Sequence, residues 1–187
     1  MIIEERIKQI INNENDYIMG FADLSNLVDK KYEGYNYAIV IGKKLDDAIM
    51  DAVESGPTAE YHDLYKQTNN DLSMLIHKIA DELKTMNIST IVIEPTVSDD
   101  KLDDEYYQTL RMDFSHKMAA TRAGLGWIGK TALFVSKKFG PRLRLATILT
   151  NHPFPNSNEP IEESRCGKCT LCVEQCPAEA ANGKSWN

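Results

Sequence analysis

The chain has 187 residues, 42% of them apolar, which suffices for one domain of ordinary size plus an appendage and excludes wholesale disorder. Its N-terminus lacks the basic and apolar regions of a secretory signal, and no apolar run reaches bilayer-spanning length, so a soluble cytoplasmic protein with no membrane role is expected. The net charge of −7 hides an asymmetry: residues 114–158 hold seven Lys and Arg and no acid, which suits an anionic partner unless the segment is a solvated face balanced elsewhere.

Ile3, Ile7, Ile10 and Ile11 recur at helical spacing. YIMGFADLSNL reads as a short strand entering a turn, and YNYAIVIGKKL (35–45) as a buried strand. LDDAIMDAV is a short helix ended by Gly56-Pro57. The clearest helix follows. Thr58 can cap it, and Leu72, Leu75, Ile76, Ile79 and Leu83 form one apolar stripe, running to about residue 86. STIVIEPT (89–96) reads as a second buried strand, stopped by Pro95. The acidic SDDKLDDE (98–105) reads as a solvated loop or helix start. SHKMAATRA (115–123) is helical in pattern. TALFVS (131–136) and LRLATILT (143–150) read as two strands of a hairpin joined at Gly140-Pro141. NHPFPNSNEP (151–160) is a Pro- and Asn-rich linker. The fold class is therefore α/β (α+β), with a domain over 1–150 and a linker plus cysteine segment over 151–187.

AGLGWIGK (123–130) contains a literal G-x-G-x-x-G, but not in a nucleotide-binding setting. That fingerprint needs a strand before it, a helix after it and an acid some way on. Here helix formers precede Gly124, strand formers follow Gly129, and the next acid is Glu159. Two readings remain open. Gly124 caps a helix while Gly126 and Gly129 adopt positive φ in a tight connector, or the backbone approaches a large flat ligand with Trp127 as its wall.

All four cysteines lie between 166 and 176, in the run Cys166-x-x-Cys169-x-x-Cys172-x-x-x-Cys176-Pro177. Such crowding suits metal-bound thiolates more than a disulfide framework. The spacing is that of a ferredoxin-type 4Fe–4S cluster; zinc sites usually separate two C-x-x-C pairs by a longer loop. Gly167 eases the wrap of the loop, and Pro177 turns the chain away. In two-cluster ferredoxins the fourth cysteine of such a run ligates the other cluster. Either all four serve one cluster here, or the polypeptide is cut short, which the ending NGKSWN favours; the intact protein then holds one cluster or two.

HKMAATRAGLGWIGKTALFVS, LATILTN and CGKCTLCVEQCPAEA together resemble the epoxyqueuosine reductase family and its smaller iron–sulfur relatives. The likeness is specific from about 115 to 181 and looser upstream, at MGFADL and YAIVIG. It implies a nitroreductase-like cobalamin-binding domain followed by a partial ferredoxin-like segment. It also implies reduction of the epoxide of epoxyqueuosine in tRNA, through cobalamin fed by clusters. Arg122, Gly124, Gly126, Trp127, Gly129 and Lys130 would lie beside the corrin, and the basic 114–158 segment would face tRNA or another anionic partner. An electron-donor protein is a further implied partner. The family's acid before the Arg-Ala-Gly-Leu-Gly stretch has no ungapped counterpart; the nearest is Asp113. His116 stands where the reductases have Glu. Both are candidate proton carriers, against plain roles as a capping Asp and a partly exposed His. His62 and His77 read as structural, and His152 as a loop residue. A second reading is an electron-transfer module that docks on a partner enzyme, and a third a zinc-stabilised interaction domain.

Overall fold

A computed structural model describes residues 3–13, 15–54, 56–97, 102–109, 111–155, 158–177 and 179–181. The expected mixture of helix and strand is present. The elements run α1 (Ile3–Ile11), β1 (Tyr17–Asp23), β2 (Tyr37–Lys44), α2 (Asp47–Asp51), α3 (Ala59–Thr85), β3 (Thr90–Ile93), α4 (Asp104–Thr109), α5 (His116–Arg122), β4 (Gly126–Ile128), β5 (Phe134–Ser136), β6 (Leu143–Thr150) and α6 (Leu171–Glu174). A single 3₁₀ turn, Lys30–Tyr32, lies between β1 and β2.

The main sheet has the order β1-β2-β6-β3 and is antiparallel throughout. Its central strands are apolar on both faces, because side chains alternate along a strand and both faces are covered. Ile39 and Ile41 of β2 and Ala146 and Ile148 of β6 pack with Ile7 and Ile11 of α1 and Leu72, Ile76, Ile79 and Leu83 of α3. Ala38, Val40, Leu145 and Leu149 pack instead with Ala119, Ala120 and Ala123 at α5. The molecule is thus layered as helices, sheet, then α5 with the β4-β5 ribbon.

The 27 residues of α3 begin where the sequence places them, with the Thr58 hydroxyl accepting the Tyr61 N–H at 3.1 Å. Removing that cap in Thr58→Ala should cost about 1 kcal/mol, read as a lower denaturation midpoint with an unchanged slope.

Two expectations are corrected. The segment at 143–150 does not form a hairpin with 131–136. Gly140, at φ +61°, closes a tight loop back onto Ser136, and β5 pairs with β4, leaving β6 to sit between β2 and β3. The strand read at 89–96 is shorter, and as an edge strand bonded only to β6 it is half-buried along its length. Of the acidic 98–105 stretch, residues 98–101 lie outside the described set, and α4 begins at Asp104.

Candidate functional site

The glycine stretch starts at the C-terminus of α5. Gly124 has φ +66°, its N–H reaches Thr121 O at 3.0 Å, and the Leu125 N–H reaches Ala120 O at 3.1 Å. This pair of bonds is a Schellman cap, which satisfies the last carbonyls of the helix. The capping expectation for Gly124 therefore holds. Neither Gly126 nor Gly129 has positive φ among the described residues. What they supply is room. A Cβ on Gly126 would sit 2.1 Å from Val135 O, and one on Gly129 would lie 3.1 Å from Val135 Cγ2 and 3.7 Å from Cys166 Sγ. In place of a connector, 126–128 forms β4, because Gly126, Trp127 and Ile128 pair with Ser136, Val135 and Phe134.

The backbone that comes close to these glycines is the chain's own C-terminal part. A Cβ on Gly124 would be 2.4 Å from Glu159 O. The buried Ile161 donates its N–H to Thr121 O at 2.9 Å, and Arg122 pairs with Glu162. Farther along, the Lys130 ammonium donates to Gly167 O at 3.0 Å and to Cys169 O at 2.7 Å. These carbonyls lie within the Cys166–Cys169 turn, which is closed by the Cys169 N–H on Cys166 O at 3.1 Å, with Gly167 at φ +54°. Arg122, Gly124, Gly129 and Lys130 thus form a ledge on which the linker and cysteine loop are seated.

The Cys166 thiol titrates below its ordinary range. The Ser164 hydroxyl is the main cause; burial opposes it, and the Lys130 backbone N–H, the Trp127 indole and the Lys130 charge add to it in turn. The indole N–H of Trp127 is itself buried, and its one approach to an acceptor is to the Cys166 sulfur. All four cysteines are free thiols; Cys169 and Cys172 are exposed, Cys166 and Cys176 half-buried. Among the described residues no three metal-ligating side chains converge on one point. The donor set nonetheless fits an iron–sulfur group in its chemistry: soft thiols, with the Lys130 backbone N–H and the buried Trp127 indole N–H beside the Cys166 sulfur.

Asp113 and His116 line a different place, a cavity of about 500 Å³ formed by the segment after β3, α4 and the start of α5, with Tyr32, Glu94 and Phe114 in its wall. Asp113 is exposed and paired with Lys31. His116 is locked. Its Nε2–H donates to Glu94 O at 2.9 Å, and its Nδ1 accepts from the Thr147 hydroxyl at 2.8 Å. Desolvation, with Arg144 nearby, pushes its pKa down to about 4 against the Glu94 carbonyl. The ring is neutral at physiological pH, and these contacts fasten α5 to the sheet. Sequence reasoning gave no sign of Ser164, Glu162, Glu94 or Thr147 as partners, since each comes into place through the fold.

The seven cations of 114–158 do not all face solvent. Arg122 and Arg142 are ion-paired, the latter with Asp47 and Asp51, and Arg144 is half-buried against Asn69, Tyr65 and Pro95. Lys117, Lys137 and Lys138 remain exposed. No helix among the described residues is long and apolar enough to cross a membrane.

No family model matches the sequence. Curated relatives do. The chain is 40% identical over 68 residues to the epoxyqueuosine reductase of Bacillus anthracis, covering 36% of this chain and 17% of that protein. It is 35% identical over 99 residues to the epoxyqueuosine reductase of Synechocystis sp., covering 53% and 32%, and 30% identical over 118 residues to that of Aliivibrio fischeri, covering 63% and 27%. The chain therefore spans less than a third of the length of these relatives. Among solved structures, an epoxyqueuosine reductase bound to an epoxyqueuosine-modified tRNA-Tyr stem loop superposes with a TM-score of 0.58 at 20% identity, over 96% of this chain and 52% of that one. A catabolic reductive dehalogenase in complex with 3-bromo-4-hydroxybenzoic acid superposes with a TM-score of 0.70 at 18% identity, over 98% and 25%. Across the matched residues the chain is similar in sequence to epoxyqueuosine reductases, and over nearly its whole length it shares the fold of their solved structures and of the reductive dehalogenase.

Proposed function

We propose that this chain is the iron–sulfur core of an oxidoreductase resembling epoxyqueuosine reductase. Cys166, Cys169, Cys172 and Cys176 would hold a 4Fe–4S cluster, which supplies low-potential electrons for a cofactor or substrate on the α/β domain. One observation carries the reading: the cysteine loop rests on the glycine ledge, tied by Lys130 to Gly167 O and Cys169 O. An electron source has to be held close to what it reduces, and here the segment that would carry the cluster is seated directly on the domain. Cobalamin is the cofactor that the family likeness suggests. The cavity shared by Asp113 and His116 is the candidate place for substrate, and exposed Asp113 is the better placed of the two to exchange protons with solvent. His116, neutral and doubly bonded, serves to orient α5.

An epoxyqueuosine-modified tRNA is the proposed substrate class, supported by the solved complex of a relative with such a stem loop. The exposed Lys117, Lys137 and Lys138 are suitable contacts for its phosphates. A separate electron-donor protein would reduce the cluster.

Anaerobic reconstitution with iron and sulfide tests the reading. The wild-type chain should take up about four irons and gain a broad blue-violet absorption band, and Cys169→Ser should lose both. A colourless protein that instead takes up zinc overturns the proposal. If the cluster assembles but cob(II)alamin neither binds nor changes its spectrum, the reading becomes an electron-transfer module docking on a partner enzyme.

A further inference from the structure

The ledge holds two groups whose placement the cluster reading does not by itself explain. Lys130 spends two of its three donors on carbonyls of the loop between Cys166 and Cys169. Such a cation placed on the surface for solubility would have no reason to bind main-chain oxygens of another segment. Trp127 has one polar group, a donor, and it is buried with no acceptor beyond the Cys166 sulfur that it approaches. Unpaired buried donors are few in folded proteins because each gives up its hydration for nothing. The group on which this indole acts is the sulfur of Cys166. A thiolate bound to iron carries more negative charge than a thiol and is the better acceptor.

We infer that Lys130 is a positioning residue for the cysteine loop, mounting it on the β4-β5 ribbon, and that the Lys130 charge and the Trp127 N–H together raise the reduction potential of the cluster. The inference rests on the cluster reading for its second half only. Reduction adds one electron to the cluster from an external reductant, dithionite in the test below, and forms or breaks no bond in the protein. The reduced cluster is more negative, so a fixed positive charge and a donor facing its sulfur stabilise it over the oxidised state. Removing either makes reduction harder.

Two measurements separate the halves. The first is hydrogen–deuterium exchange of 163–177 in the metal-free chain. Lys130→Met should speed exchange of the Cys166–Cys169 turn roughly tenfold, as expected for losing two charge-assisted bonds, while α3 stays protected. Lys130→Arg should restore much of the protection, and Trp127→Phe should match the wild type. The second is a potentiometric titration of the reconstituted chain followed by electron paramagnetic resonance. Lys130→Met and Trp127→Phe should both lower the midpoint, and Lys130→Arg should not. Unchanged exchange in Lys130→Met overturns the mount. An unchanged midpoint in Trp127→Phe overturns the tuning. Failure of the wild type to bind iron overturns the proposed function together with the tuning, and leaves the exchange result to decide the mount alone.

Discussion

Gly124→Ala should destabilise the chain by about 3 kcal/mol and release the segment around Asn158–Glu162 from α5. Two costs combine. At φ +66° an L-residue loses about 1–2 kcal/mol in the left-handed region. The new Cβ would also meet Glu159 O at 2.4 Å and Asn158 Cβ at 2.6 Å, so the linker has to move. Such overpacking costs about 1–3 kcal/mol. Moving the linker strains the Ile161–Thr121 hydrogen bond and the Arg122–Glu162 pair, which otherwise secure it. Gly124→Asn discriminates between the causes, since Asn tolerates positive φ but carries the same Cβ. Equal damage from both variants assigns the loss to the clash. Chemical denaturation gives the stability, and protease cutting near Glu162 reports the release. A Gly124→Ala chain as stable and as resistant as the wild type would refute the close seating.

The second large effect is a pH dependence that His116 imposes. Its folded pKa is about 4, against an ordinary 6.5. Between these values the unfolded chain binds a proton at this site and the folded chain does not. The stabilisation is therefore full above about pH 6.5 and declines as pH falls, the loss reaching about 3 kcal/mol near pH 4. His116→Gln cannot titrate. It should be less stable at neutral pH, because Glu94 O and the Thr147 hydroxyl lose well-placed partners, but its stability should fall by about 3 kcal/mol less than that of the wild type on acidification. Denaturation of both chains at pH 7 and pH 4 makes the comparison, with the shared carboxylates cancelling. Parallel profiles would show that His116 is not held neutral.

Elements whose cause is local were legible in the sequence. The α3 stripe and its Thr58 cap needed only spacing and one hydroxyl, and the apolar run at 37–44 could hardly be other than an interior strand. The helix cap at Gly124 was legible for the same reason. Pairing was not. Whether 143–150 lies beside 131–136 or between β2 and β3 depends on contacts distant in sequence, and Gly140-Pro141 signals a turn without naming the partner. The β4 strand was hidden because glycines that ordinarily weaken strands are here required by the nearness of Val135 O. At the site, the cysteine spacing and the glycine stretch were readable separately. Their contact through Lys130 was not, because nothing in the order of residues brings 130 to 167. His116 could be noticed as a titratable group beside a helix, but its neutrality comes from burial, and its place against Glu94 and Thr147 exists only once β6 pairs with β3 in the sheet.

The seating of 158–162 on the end of α5 bears on how such modules can be recombined. A chimera that transplants the sulfur-bearing tail onto another scaffold would have to bring the Thr121–Gly124 corner as well, or supply an equivalent notch and carbonyl for Ile161. Junctions placed after Thr150 would separate docking partners, whereas the natural seam runs in three dimensions, through α5 and the ribbon.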